Sequence, residues 1–377
     1  MQIPFLKPPF GDAEIEAVTR VMRTTNLSTG PEVNQFERKF ADYIGTKHAV
    51  AVNSGTSALE LTLQAMILSG RINRGAGVII PSFTFVAVAN AVVNSGLYPV
   101  FADISSTTMN IDTDNIIINL PFPVQAIIPV HTFGMPCDMG SIAEFAGKHG
   151  LVIIEDCAEA LGSTYAGYQV GSHTDCGIFS FTPTKNMTTG EGGMVTTNSA
   201  EIAEIVRTIR EHGMLPNTRN AVVHGHNYRM PNILAAIGLV QLSKIDELND
   251  DRNRNSDLLS SIIEEYGTPV FGPEPSSART YQMYTVQLAD TAGRDRDRVI
   301  SECIARGIDA KVYFYPPIHM QTCYIFNNFR CSTTGMGVTE RVAERVISLP
   351  MYPGLSHEEL EYMADSLAES VKVVLGE

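Results

Sequence analysis

Positive charge is scarce in this chain: 27 lysines and arginines stand against 41 aspartates and glutamates, a net charge of -14. That balance excludes the basic footprint of a protein that binds nucleic acid or an anionic membrane surface. An anionic ligand has to be met by a local positive site. No stretch approaches the roughly 18 apolar residues of a membrane span, and the opening MQIPFLKPPFGD lacks the basic-then-apolar layout of an export signal. The six cysteines (Cys137, Cys157, Cys176, Cys303, Cys323, Cys331) form no CxxC pair and no metal-ligand spacing. They read as reduced, mostly buried thiols, and the expectation is a cytoplasmic protein without a metal site. No strand is followed by GxGxxG, and the glycine-rich TGEGGM lacks a Lys-Ser/Thr pair, which removes the nicotinamide and NTPase readings. Internal repeats, low-complexity tracts and flexible linkers are absent as well.

What is present is an ordinary globular composition, 44% hydrophobic and 18% charged, over 377 residues. That length fits one large domain plus a smaller one. Apolar spacing predicts a helix from Asp12 to Thr24 (Ile15, Val18, Val21, Met22) and a second from Glu32 to Ile44 (Val33, Phe36, Phe40, Tyr43), both as packing elements. From His48 the pattern becomes strand then helix, repeated: HAVAVN, SALELTLQAMI, GVIIP, FVAVANAVVNS, YPVFAD, QAIIPV, MGSIAEFAGKHG, LVIIED. Near-continuous apolar strands alternating with helices predict an α/β fold with a mostly parallel sheet covered on both faces. A helix is expected over Ser199 to Gly213 and a long one from Asn232 to Leu248. The polar run DDRNRNSD places a boundary near residue 250, giving a large domain over 1–250 and a smaller α+β domain over 251–377.

Ligands of such sheets sit at the carboxyl ends of the strands, and the polar residues gather there. Asn53-Ser54-Gly55-Thr56-Ser57 follows the first strand, Ser82 to Phe85 the second, His131 the fourth, and Glu155-Asp156 the fifth. One crevice collecting them all is the expectation. Gly55, Thr56 and Ser57 open a helix whose free N–H groups suit a phosphate, although Ser54 or Thr56 as a plain N-cap explains the same letters. Asp156 ends a buried strand and needs a partner to stay ionised; backbone amides or a pyridinium N–H would both serve. Phe85 suits either a flat ring or the core.

Lys185 lies between the strand CGIFSF and the turn GEGG that opens a further strand, MVTT. At the end of a strand pair a lysine kept from water favours its neutral, nucleophilic form, which Schiff-base chemistry uses. A surface loop lysine is the plainer reading of that one residue.

Taken together, these motifs resemble the pyridoxal-phosphate-dependent sugar aminotransferases of the DegT/DnrJ/EryC1/StrS type. The resemblance runs through LSTGPEVNQFERKFADYIGTKHAVAVNSGTSAL, PSFTFVAVANAV, VIIEDCAEALGS, the Lys185 segment, HGHNYRMPNILAAIGLVQL, YPPIHMQ and SLPMYPGLSHEE. It implies the type I, aspartate-aminotransferase-like fold and the cofactor pyridoxal 5′-phosphate, with pyridoxamine 5′-phosphate formed in turn. Lys185 would carry the cofactor as a Schiff base and, once freed, move the proton; Asp156 would pair with the pyridine nitrogen and Phe85 would lie on the ring. Gly55, Thr56, Ser57 and Ser180 would hold the phosphate, joined by Asn227 from a second subunit, so a homodimer with shared sites is implied. Tyr228 and Arg229 belong to the same crossing loop, and His319 and Tyr313 are expected at the substrate. Relatives usually carry Gln or His where this chain has Glu159, near the cofactor's phenolic oxygen, and many carry His where it has Tyr313.

The activity implied is transfer of an amino group from L-glutamate to a nucleotide-linked keto-deoxysugar, in the service of polysaccharide or O-antigen synthesis. GHNYRM resembles the GYNYRM-type segment of C4 enzymes more than the GLNSRL segment of C3 enzymes, which implies the C4 keto group of a 4-keto-6-deoxyhexose; C3 amination, or a cofactor-binding regulator without turnover, are the alternatives. Lys185 itself speaks against the branch of relatives that deoxygenate sugars, which carry histidine there.

Overall fold

The computed structural model describes residues 1–116, 122–216, 218–266, 270–271, 279–289, 295–326 and 335–376. Two N-terminal helices, α1 (Asp12–Met22) and α2 (Pro31–Ile44), precede β1 (His48–Val52) and α3 (Gly55–Leu68). β2 (Gly77–Pro81), α4 (Ala87–Asn94), β3 (Tyr98–Ala102), β4 (Val124–Ile127), α5 (Met139–His149) and β5 (Val152–Asp156) follow. After the short hairpin of β6 (Thr164–Tyr165) and β7 (Tyr168–Gln169), β8 (Cys176–Ser180) and β9 (Gly193–Thr197) complete a seven-stranded sheet of order β1-β9-β8-β5-β4-β2-β3, and α6 (Ala200–Arg210) follows where a helix was expected. Strands β8, β5, β4, β2 and β3 run parallel, and β9 lies antiparallel between β8 and β1.

Successive residues of each strand serve opposite cores, as the two-residue period requires. Val50, Val52, Val78 and Ile80 join one cluster with α3 and α4, whereas Ala49, Ala51 and Ile79 face the other side. The sheet is thus covered on both faces. Lacking a polar face, its strands form the apolar runs read from the sequence.

Three expectations change. The long helix over Asn232 to Leu248 is two helices, α7 (Asn232–Ser243) and α8 (Ile245–Glu265), broken at Lys244 with φ -122 and ψ 11. The run DDRNRNSD lies within α8, not at a break, because its polar groups are used inside: Arg252 Nη1 donates to Met351 O (2.5 Å) and Asn255 Nδ2 to Tyr352 O (3.2 Å). The boundary expected near residue 250 therefore falls within a continuous helix. On α1 the buried face is Glu14, Ala17 and Val21, while Ile15 and Met22 are 63% and 65% exposed.

The C-terminal layer holds a three-stranded antiparallel sheet of β10 (Val270–Phe271), β11 (Tyr284–Leu288) and β12 (Val346–Leu349), packed with helices Arg296–Ala305 and His357–Leu375. The first residues of the chain belong to this layer: Ile3 bridges Ile308 and is buried in its core. Cys137, Cys157, Cys176 and Cys303 are buried free thiols and Cys323 is exposed; Cys331 lies outside the described residues.

Candidate active site

A cleft of about 350 Å³ opens at the carboxyl end of the central sheet. Its walls include Ser54, Gly55, Thr56, Thr84, Phe85, Asp156, Glu159, Ser180, Lys185 and Tyr313. The α3 terminus forms one end. Ser57 N donates to Ser54 Oγ (3.1 Å), Ser54 N donates to Ser57 Oγ (3.1 Å), and Ser57 Oγ donates to Asn53 Oδ1 (2.6 Å). Ser57 is therefore spent on capping, and its side chain does not line the cleft. The Gly55 and Thr56 amides have no partner among the described residues. Such free amides, with the helix dipole behind them, suit an anion.

Close packing brings Ser180 to the same place. A Cβ at Gly55 would lie 2.8 Å from Ser180 Cβ, and one at Gly193 would lie 2.4 Å from the Ser54 carbonyl oxygen. Only glycine lets the helix start approach the ends of β8 and β9 this closely.

Asp156, 5% exposed, ends β5. Its Oδ1 accepts from Ala158 N (3.0 Å), and it makes no ion pair among the described residues. Burial raises its carboxyl to about 6, against the lowering effects of the Ala158 amide and Lys185. A buried carboxylate short of a cation calls for a protonated ligand nitrogen. Phe85, on the wall, is 60% exposed, unlike the buried Phe83 two residues earlier. Its open face is available for stacking.

Lys185, its side chain 15% exposed, is largely kept from water, and its Nζ pairs with Glu159 Oε1 at 3.2 Å, a partner the sequence did not indicate. Glu159 Oε2 accepts from Phe133 N at 2.9 Å. Phe133 and Phe314 stack at 5.2 Å with an interplanar angle of 6°, and both hold left-handed backbone (φ 52 and 62). Bulky residues rarely take that conformation outside sites that need it. Tyr313 stacks on Phe5 at 5.6 Å, and burial, helped by Glu159 and Asp309, pushes its phenol up to about 12.

Several expected residues lie elsewhere. His131 and Glu155 are buried beneath the cleft: His131 Nδ1 accepts from Cys137 N (2.9 Å), so Nε2 carries the proton that faces Glu155 Oε2 (3.1 Å). Burial alone would raise the Glu155 carboxyl, but His131, Thr174 and the Gly171 amide hold it below its ordinary value. Cys157 Sγ lies within 4.8 Å of these groups, yet both His131 nitrogens are already engaged. His319 does not line the cleft; it bonds Ser82 and Glu340. Asn227 is exposed, and Arg229 pairs with Glu211 (2.9 Å); neither lines the cleft of its own chain. Tyr228 donates to Glu60 Oε2 (3.1 Å). Thr84 is on the wall as expected, and the sequence reading missed Thr182, Thr184, Glu191, Met283 and Phe314 there. Two of these signals were in reach, the hydroxyls flanking Lys185 in SFTPTK.

An anion end, an unpaired buried carboxylate and an open aromatic face beside an amine are features that would suit the phosphate, ring nitrogen and flat ring of pyridoxal 5′-phosphate. The chain belongs to the DegT/DnrJ/EryC1/StrS aminotransferase family, whose model matches residues 9–368. It is 38% identical over 370 residues to GDP-perosamine synthase of Caulobacter vibrioides, covering 97% of each chain. Among solved structures it resembles Helicobacter pylori PseC, an aminotransferase of pseudoaminic acid biosynthesis, with a TM-score of 0.90 at 29% identity, covering 99% of this chain and 100% of that one. A Streptococcus pneumoniae protein solved in a PLP form matches with a TM-score of 0.89 at 27% identity, over 99% of this chain and 100% of that one. Among the described residues, no helix is long and apolar enough to cross a membrane.

Proposed function

We propose that this enzyme transfers the amino group of L-glutamate to the C4 keto group of a nucleotide-linked 4-keto-6-deoxyhexose. The observation that carries the reading is the meeting of the free α3 amides, Asp156 and Lys185 in one cleft. Pyridoxal 5′-phosphate supplies an electrophilic carbon and a ring that withdraws electrons. The chain's residues do the rest. Gly55 and Thr56 amides, with Ser54 and Ser180 hydroxyls, would hold the phosphate; Asp156 would keep the ring nitrogen protonated; Phe85 would lie against the ring. Lys185 Nζ would hold the cofactor and, when free, would move the proton taken from the donor carbon and the one given to the acceptor carbon. Glu159 and Phe133 fix the amine's position in the meantime.

The relative named GDP-perosamine synthase supports a GDP-linked sugar, and a Bacillus subtilis relative named spore coat polysaccharide biosynthesis protein SpsC supports a product used in polysaccharide synthesis. In this reading residues 1–250 hold the cofactor, and residues 251–377 form a smaller domain that adds Met283, Tyr313 and Phe314 to the acceptor side. Asn227 reaches the phosphate of a second subunit, making a cytoplasmic homodimer the active unit; its exposure on its own chain fits that role. The exposed apolar Ile15, Met22 and Leu27 also suit a covered face.

The test is incubation of the holoenzyme with L-glutamate and, in parallel, a GDP-4-keto-6-deoxyhexose and its 3-keto isomer, with the product's amino position read by NMR. Amination at C4 supports the proposal; amination at C3 moves the acceptor position, and no amino transfer to any keto sugar overturns it.

A further inference from the structure

Ser82 ends the run out of β2 and is fully buried. Three hydrogen bonds tie it to a turn 237 positions later. Ile318 N donates to Ser82 O (3.1 Å), His319 N donates to Ser82 Oγ (3.1 Å), and Ser82 Oγ lies 2.6 Å from His319 Nδ1. The directions follow from the donors. A backbone N–H can only donate, so the serine oxygen accepts it and turns its own proton toward Nδ1. His319 then carries its proton on Nε2, where it faces Glu340 Oε1 at 3.2 Å. The order Ser-His-Glu matches a hydrolytic triad, but a hydroxyl with no exposure and both its roles filled cannot attack a substrate.

Its position gives it a different use. Ser82 leads directly into Thr84 and Phe85 on one wall of the cleft, and His319 follows Tyr313 and Phe314 on the other. The main-chain bond of Ile318 and the two side-chain bonds of Ser82 are where these segments are fastened. Phe83 adds an apolar contact beside them, packing edge-on against Phe314 at 5.3 Å. We propose that Ser82 and His319 form a latch that fixes the separation of the two walls, His319 being a positioning residue that acts through Ser82. The inference rests on the proposed function only for the ligand that the walls grip.

The two nitrogens of His319 allow a clean test. Asparagine places a polar atom where Nδ1 stands and glutamine places one where Nε2 stands, so His319→Asn keeps a partner for Ser82 while His319→Gln keeps only one for Glu340. Amide hydrogen exchange is measured on the full-length holoenzyme, together with the KM for the acceptor sugar. The latch predicts exchange at 82–86 raised about tenfold in His319→Gln and within about twofold of wild type in His319→Asn. Ser82→Ala, which removes the side-chain bonds and spares the backbone one, is the second variant and is predicted to resemble His319→Gln. Equal exchange in the two histidine variants, or wild-type exchange in Ser82→Ala, overturns the latch. So does a higher KM in both histidine variants with 82–86 undisturbed, which would place His319 on the sugar itself. The exchange readout needs no turnover, so failure of the functional reading leaves it intact and the two failures are distinguishable.

Discussion

Lys185 Nζ stands 3.2 Å from Glu159 Oε1, and the other oxygen of that carboxylate is anchored by the Phe133 amide at 2.9 Å. The amine proposed to carry the chemistry is thus held by a carboxylate that is itself held by the backbone. Glu159→Gln keeps an acceptor for Phe133, whereas Glu159→Ala leaves that buried amide unpaired. Urea unfolding of the apo protein is expected to show Glu159→Ala less stable than wild type by about 1–3 kcal/mol and Glu159→Gln by less. Single-turnover amino transfer is expected to slow about 10- to 100-fold in both, since each loses the charge that fixes the amine.

Asp156 gives a pH dependence of definite sign. Burial raises its carboxyl from 3.8 to about 6, so the folded apo protein holds a proton there that the unfolded chain releases. Its contribution to stability is fully present below pH 3.8 and is lost as pH rises through about 6. The loss is roughly 3 kcal/mol. Asp156→Asn is expected to remove that slope in apo-protein melts between pH 4 and 7 and to abolish cofactor binding by the ring nitrogen's partner. A slope unchanged in the variant would assign it to another group.

Phe85 is the inverse case, a large apolar side chain that is 60% exposed. Its replacement by alanine is expected to leave apo stability within about 0.5 kcal/mol, because little is buried. Cofactor affinity, followed by equilibrium titration, is expected to fall several-fold, the size of one lost stacking contact of about 0.5–1.5 kcal/mol.

Gly55 and Ser180 are coupled by contact. Gly55→Ala puts a methyl 2.8 Å from Ser180 Cβ and is expected to lower both the melting temperature and phosphate affinity. Removing the obstacle, as in Gly55→Ala with Ser180→Gly, is expected to recover part of the loss, giving a coupling of about 0.5–3 kcal/mol in a double-mutant cycle. Additive effects would contradict the packing argument.

How far the sequence carried these conclusions follows from the range of each force. Strand runs such as GVIIP and LVIIE are apolar throughout because both faces are covered, and the alternation with helices declared a parallel sheet. Asp156, Phe85 and Lys185 were legible as candidates because each breaks a local pattern at a strand end. The placement of His131 and His319 was not. A histidine after a strand reads the same whether it turns to the cleft or, like His131, inward to Glu155. The break at Lys244 also escaped, since α7 and α8 are separated by one residue whose letters continue a helical period. Nor could spacing show that Arg252 is buried among carbonyls, because that partner set is assembled from residues 282 and 351.

The visible absorption spectrum of the purified holoenzyme, recorded before and after L-glutamate, beside Lys185→Ala, tests the central claim most directly. The account predicts a band of lysine-bound cofactor that glutamate converts to the pyridoxamine form, and a variant that cannot regenerate it. A band that glutamate leaves unchanged, or one that persists in Lys185→Ala, would contradict it.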